Sequence, residues 1–133
     1  MLLNDDSTWP WVILVPRVPG AEEIHHLSVD DQRRLMEEIA QCSAAIEKAY
    51  DDVDKINVGA IGCVCRQLHV HVLGRKVGDV VWPRPVWGAT NPVKYEAAAA
   101  EEAKRKIMKT LNTERVILVS TSLEEQKRKK MRA

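Results

Sequence analysis

The run Gln67-Leu68-His69-Val70-His71-Val72-Leu73 constrains this chain more than any other stretch, and it holds two of the four histidines. Strict alternation of this kind predicts a strand. On a pleated strand, side chains two apart share a face, so Gln67, His69 and His71 point one way while Leu68, Val70 and Val72 point the other. One face is available for chemistry and the other for a core.

The remaining segments supply partners for that strand. Val12-Ile13-Leu14-Val15 is a continuous apolar run closed by Pro16 and the Pro19-Gly20 turn, which predicts an early buried strand. Ser28 stands at capping-box spacing before Asp31, and Leu35, Ile39, Cys42 or Ser43, Ile46 and Tyr50 recur at helical intervals. A helix is expected over 29–50. After Asp51-Asp52, residues 56–61 alternate weakly and lead through Gly62 into the histidine strand, so the two are expected to pair as a hairpin. Residues 74–92 carry Gly78, Pro83, Pro85, Gly88 and Pro92 and read as an irregular loop around Trp82 and Trp87. Asn91-Pro92 reads as an N-cap followed by proline at the first helical position, opening a second, Ala-rich helix that runs to about residue 111. Val116-Ile117-Leu118-Val119 suggests a last strand, and residues 124–133 read equally as a frayed helix or a charged tail.

With 133 residues the chain fits one domain and can bury roughly two-thirds of its unfolded surface. Lys and Arg number 20 against 19 Asp and Glu, so no global field draws it to nucleic acid or a membrane surface, and an anionic ligand must be met locally. The start, Met1-Leu2-Leu3-Asn4-Asp5-Asp6, lacks the pattern of a secretory leader, and no stretch approaches the ~20 apolar residues needed to span a bilayer. A soluble, cytoplasmic protein is expected. Three cysteines, two of them in Cys63-Val64-Cys65, do not make a disulfide framework, and reduced thiols are expected.

For His69 and His71 one reading is structural: two half-buried imidazoles on a sheet face, each satisfied by a hydrogen bond. The chemical reading is that a neutral imidazole, with a pKa near ~6.5, is suited at pH 7 to attack phosphorus and leave again, while a second on the same face donates. Cys63, Cys65, His69 and His71 are also zinc-ligand types. Positions 63 and 71 would lie ~27 Å apart along an extended strand, so only a bulge or turn over 62–66 would let them share an ion, and no metal or cofactor is assigned. Trp82 and Trp87 read as packing anchors of the proline-rich loop or as a wall beside a ligand. Lys127, Arg128, Lys129, Lys130 and Arg132 read as a solvated tail rather than a polyanion-binding arm.

The pattern His-φ-His-φ-His-φ-φ, where φ is apolar and Gln67 takes the first place, resembles the signature of the histidine triad (HIT) superfamily. Its context agrees: Asn57-Val58-Gly59 upstream, Leu73-Gly74-Arg75-Lys76 with Gly78-Asp79 downstream, and Trp11-Val12-Ile13-Leu14-Val15-Pro16-Arg17 before Leu27-Ser28. The resemblance covers residues 3–88. It implies an α+β fold in which an antiparallel sheet carries two main helices over 1–112, usually as a homodimer, with 113–133 left as an extension. It also implies nucleotide chemistry, while the charge balance and the lack of a long apolar run make nucleic-acid and membrane partners unexpected. His69 takes the place of the nucleophile that attacks the α-phosphate, and His71 that of the residue contacting phosphate oxygens near the leaving group. Gln67 takes the supporting place, from which a backbone carbonyl accepts the ring N–H of the nucleophile, a role that survives substitution.

Three further residues carry substrate roles by the same resemblance. Asn57 matches an asparagine facing the phosphate site, and Asp5 falls near an acidic residue that holds the ribose hydroxyls. Cys63 stands where members commonly carry Gln or Asn, and Val64-Cys65 puts no hydroxyl beside it, so one phosphate-side contact is expected to be missing. Members usually have a further N-terminal segment completing the nucleoside pocket, whereas this chain begins almost inside the strand before Trp9. The expected activity is hydrolysis or nucleotidyl transfer on a dinucleoside polyphosphate or nucleoside phosphoramidate. The alternatives are a non-catalytic nucleotide-binding module and, less favoured, a zinc-binding structural domain.

Overall fold

The computed structural model describes residues 1–89 and 91–111, and the backbone of 119–120. In chain order its elements are β1 (Leu2–Leu3), β2 (Trp11–Leu14), α1 (Val29–Ala49), β3 (Lys55–Gly59), β4 (Val70–Arg75), α2 (Ala97–Thr110) and β5 (Val119–Ser120), with one 3₁₀ turn at Ile24–His26. The strands lie in the order β3-β4-β2-β1-β5, antiparallel except for the parallel β1/β5 pair. This is the expected α+β architecture, and the expected hairpin is the β3/β4 pair.

The first helix forms where the sequence places its signals. The Ser28 hydroxyl accepts the Asp31 backbone N–H at 3.1 Å, and Asp30 and Asp31 put negative charge at the positive end of the α1 dipole. Leu35, Cys42, Ala45, Ile46 and Ala49 then form the buried stripe of α1. From α2, Ala103 and Ile107 are buried in the same cluster, and the Thr110 hydroxyl donates to the Ala45 carbonyl at 2.9 Å. Both helices thus cover one face of the sheet, with Val12, Leu14, Val70 and Val72 beneath them. Gly74 allows the close approach: a Cβ there would come within 2.6 Å of Val53 Cγ2 and 3.0 Å of Ile46 Cγ2.

Two expectations are corrected by the backbone. The second helix starts at Ala97, five residues after Pro92, because the segment before it is claimed by the N-terminal loop. The N–H groups of Val93 and Tyr95 donate to the carboxylates of Asp6 and Asp5, and Ser7 N–H donates to the Val93 carbonyl. A helix opened by Asn91-Pro92 would need the Tyr95 N–H for the Asn91 carbonyl and the Val93 carbonyl for the Ala97 N–H, and both are bonded elsewhere. The histidine strand begins at Val70 rather than Gln67, since Leu68 N–H donates to the Ala21 carbonyl instead of joining the β3 ladder. Alternation nevertheless extends back to Leu68, which is buried in the helix-side core. The last strand contains Val119, while Val116, Ile117 and Leu118 lie outside the described residues, as does the charged stretch 124–133.

Candidate active site

Register places the chemistry on the sheet face away from the helices. In the ladders, Gly59 and Ile13 flank His71, while Asn57 and Trp11 flank Leu73, and directly opposed residues share a face. Trp9, Trp11, Leu73, Val81 and Val86 form a second buried cluster here, joined by Trp87. Gly59 makes room for Trp87, because a Cβ at 59 would stand 3.0 Å from its Cζ2 and Cη2. Trp87 is therefore an anchor and also forms one wall of His71, whereas Trp82 is exposed and lies outside the cluster, its ring over the Arg75 guanidinium at 5.6 Å.

His71 is held by its surroundings. The Trp11 indole N–H donates to His71 Nδ1 at 3.0 Å, and the Trp11, Trp87 and His69 rings all meet the imidazole edge to face. Burial, with a smaller contribution from the neighbouring His69, pulls the His71 pKa from 6.5 down to about 4. It is neutral at pH 7.

His69 sits differently. Its Nδ1 lies 2.8 Å from the Gln67 carbonyl oxygen, which can only accept, so Nδ1 carries the proton and Nε2 keeps a lone pair. The Gln67 side-chain amide donates to the Ala21 carbonyl at 3.1 Å and so ties this segment to the loop after β2. His69 lines a cleft of 360 Å³ together with Gln67, Cys63, Glu22, Glu23 and Arg66. Gly62 forms the wall beside the imidazole, where a Cβ would come within 3.8 Å of His69 Cε1. Across the cleft mouth Arg66 grips Glu22 through both carboxylate oxygens, an exposed pair that lowers the Glu22 pKa mainly through the hydrogen bond itself. The guanidinium leaves Glu23 as the remaining negative group on that wall.

The other expected residues are distributed around this centre. Cys63 lines the cleft. Asn57 lies one register step from Gly59 and accepts Arg75 Nη1 on its Oδ1 at 3.0 Å. Asp5 accepts the Tyr95 N–H at 3.1 Å and helps fix the approach to α2. Cys63 and Cys65 are both exposed thiols, and among the described residues no three His, Cys, Asp or Glu side chains are placed to hold a metal ion.

Residue-by-residue reading of the sequence did not single out the polar network beneath the tryptophans. Arg75, 2% exposed, reaches both oxygens of Asp79 through Nε and Nη2, and its Nη1 donates to Asn57 Oδ1 and to the Arg84 carbonyl. Asp79 also accepts the Trp9 indole N–H at 3.1 Å and the Val81 N–H. The Arg75 bonds come first among the causes that hold Asp79 near a pKa of 2. The one available sequence signal was Arg75 four residues before Asp79 across the Gly78 turn. Nothing in sequence spacing pointed to Trp11 as a partner of His71, or to Glu22 and Arg66 as neighbours.

Comparison with known proteins agrees with this architecture. The HIT domain family matches residues 1–78. Among solved structures, the chain is similar to a histidine triad protein from Marinobacter aquaeolei VT8, at 43% identity and a TM-score of 0.78 over 82% of this chain and 79% of that one. It is also similar to histidine triad proteins from Sinorhizobium meliloti 1021 (39% identity, TM-score 0.79, 82% and 80% covered) and Bradyrhizobium japonicum (38%, 0.78, 82% and 81%). No protein of curated function matches it. Among the described residues no helix is long and apolar enough to cross a membrane.

Proposed function

This chain belongs to the HIT domain family, a membership that supports nucleotide-binding or hydrolase-type function in general, and we propose that it acts in the cytoplasm as a nucleotide hydrolase or nucleotidyl transferase. Its substrate is a dinucleoside polyphosphate or a nucleoside phosphoramidate, attacked at the α-phosphate. The observation that carries this reading is the 2.8 Å contact of His69 Nδ1 with the Gln67 carbonyl, in a residue that lines the cleft.

The lone pair of His69 Nε2 attacks the α-phosphorus. The bond from phosphorus to the leaving oxygen or nitrogen breaks, and its electron pair departs with that atom, a leaving nitrogen having first taken a proton from solvent so that it departs as the amine. The ring becomes cationic as the P–N bond forms, and the Gln67 carbonyl stabilises the Nδ1–H that bears part of this charge. Water then attacks phosphorus and loses a proton to solvent, the P–N bond breaks, the electron pair returns to Nε2, and the nucleoside monophosphate leaves. His71 donates to a phosphate oxygen near the leaving group, and Gln67 positions His69. Cys63 lies at the phosphate side of the cleft, and Asn57 and Asp5 are the proposed phosphate- and ribose-side contacts. Since Asn57 and Asp5 also hold Arg75 and Tyr95, their alanine variants are to be judged on KM after fold integrity is confirmed.

Incubation with labelled diadenosine tetraphosphate and with an adenosine phosphoramidate tests the proposal. Wild type is expected to turn over at least one of them and to form an acid-labile nucleotide adduct, and His69→Ala to lose at least about a thousandfold in rate. Nucleotide binding by calorimetry without turnover would instead make the chain a non-catalytic binding module. We also propose a homodimer, supported by the position of β3 at one edge of the sheet with Val58 46% exposed. Light scattering at the mass of a monomer would exclude it.

A further inference from the structure

We infer that Trp11 is a positioning residue for His71: its indole N–H occupies Nδ1 and so fixes which way the ring faces and which nitrogen carries the proton. An indole nitrogen can only donate, and at 3.0 Å it takes the Nδ1 lone pair, leaving the proton of the neutral ring on Nε2. His69 has the reverse arrangement, imposed by a group that can only accept. Two imidazoles with ring centroids 5.2 Å apart are thus locked into opposite tautomers by two neighbours of opposite polarity. One offers a lone pair and the other an N–H.

The fold makes this bond in a specific way. Trp11 pairs directly with Leu73, so His71 is its diagonal neighbour, a distance that only a long side chain spans. Trp11 itself is 7% exposed and is braced edge-on by Trp9 and Trp87, with ring centroids 6.2 Å away in each case. Trp87 and Gly59 close the remaining side of His71. His71 therefore meets a tryptophan from β2, a tryptophan from the loop and a glycine from β3, none of them titratable. The one titratable group facing it among the described residues is His69, and the low pKa of His71 agrees with a site in which Nδ1 has no room for a proton.

The role in catalysis rests on the reading of His69 as nucleophile, but the tautomer does not. Long-range ¹⁵N–¹H correlation of wild type at pH 7 should show His71 protonated on Nε2 and His69 on Nδ1. In Trp11→Phe, which keeps an aromatic ring but removes the donor, His71 should lose the single-tautomer pattern. The kcat should fall by roughly tenfold with KM little changed, less than the roughly 10²–10³ expected for deleting the donor with His71→Ala. If Trp11→Phe disturbs the fold, benzothienylalanine at position 11 keeps the fused ring without the N–H and decides the question. A His71 tautomer pattern unchanged by either replacement would overturn the assignment to Trp11. Absence of turnover by wild type would overturn the enzyme reading alone, since the spectra report on Trp11 regardless.

Discussion

Strand β4 presents two different environments on its two faces. Toward the helices it offers Val70 and Val72, in one cluster with Val12, Leu14, Ile46 and Ile107. Toward the other side it offers His71, Leu73 and Arg75, which meet tryptophans, Asn57 and Asp79. The aliphatic face is held by area and close packing, which are non-directional and satisfied by many combinations of similar volume. The other face is held by bonds with a defined donor and acceptor, where one exchanged atom leaves a buried group unpaired. The first face contributes stability alone; the second contributes stability and also sets orientation.

The sharpest way to break that division is Arg75→Met. The substitution keeps an unbranched stem but removes every bond to Asp79, Asn57 and the Arg84 carbonyl, leaving a carboxylate that is 9% exposed without its cation. Urea unfolding should show a loss of about 3–5 kcal/mol. Arg75→Met combined with Asp79→Leu should recover part of it, because neither charge is then stranded. On the other face, Ile46→Ala should cost about 2–5 kcal/mol through lost burial and the cavity left behind. The contrast lies in activity: Arg75→Met should lower turnover under conditions where it remains folded, since Asn57 and the tryptophan loop lose their anchor. Ile46→Ala should leave kcat unchanged within about twofold. Equal effects of the two on kcat would erase the distinction between the faces.

The same contrast explains what the sequence disclosed. Period-2 and period-3.6 patterns are traces of non-directional burial, so Leu68, Val70 and Val72, and the Leu35 to Ile46 stripe, are legible in the sequence itself. Local capping was legible too, because Ser28 and Asp31 are only three residues apart. Asn91-Pro92 misled for a complementary reason: it is a sound local signal, but Asp5 and Asp6, about ninety residues away, claim the backbone of the following segment. The directional bonds of the site face join positions far apart in the chain, such as Trp11 with His71, Trp9 with Asp79 and Glu22 with Arg66. No periodicity encodes them. Gln67 lies between these cases, since its carbonyl acts on the nearby His69 while its amide acts on the distant Ala21.

Acid offers a graded test of the site face. His71 is neutral in the fold with its pKa near 4, against 6.5 for the ordinary group, so the unfolded chain takes up that proton first as pH falls. Its contribution to stability is complete above pH 6.5 and is lost on the way down to pH 4. Asp79 is held near 2 against 3.8, chiefly by its hydrogen bonds to Arg75, so its contribution is complete above pH 3.8 and lost toward pH 2. Urea midpoints measured from pH 7 to pH 2 should therefore decline in two successive windows. His71→Gln should flatten the upper window and leave the lower, and Asp79→Asn the reverse. A single decline unaffected by His71→Gln would mean that the imidazole is not buried as described.

The smallest effect expected is Ser28→Ala, and it probes whether the two faces are independent at all. Loss of the hydroxyl that accepts the Asp31 N–H should cost about 0.5–2 kcal/mol. The interest lies in position, because α1 is led in by the same segment that places Glu22 and Glu23 on the cleft wall. That segment has anchors of its own: Arg66 holds Glu22, Leu68 N–H holds the Ala21 carbonyl, and the His26 ring accepts the Glu22 and Glu23 N–H groups. With those bonds intact, fraying of the first helical turn should stop at Leu27, and kcat/KM should stay at the wild-type value while the urea midpoint falls. A drop in kcat/KM parallel to the loss of stability would show that the cleft wall is carried by the helix, and the separation of packing from orientation would fail at this end of the molecule.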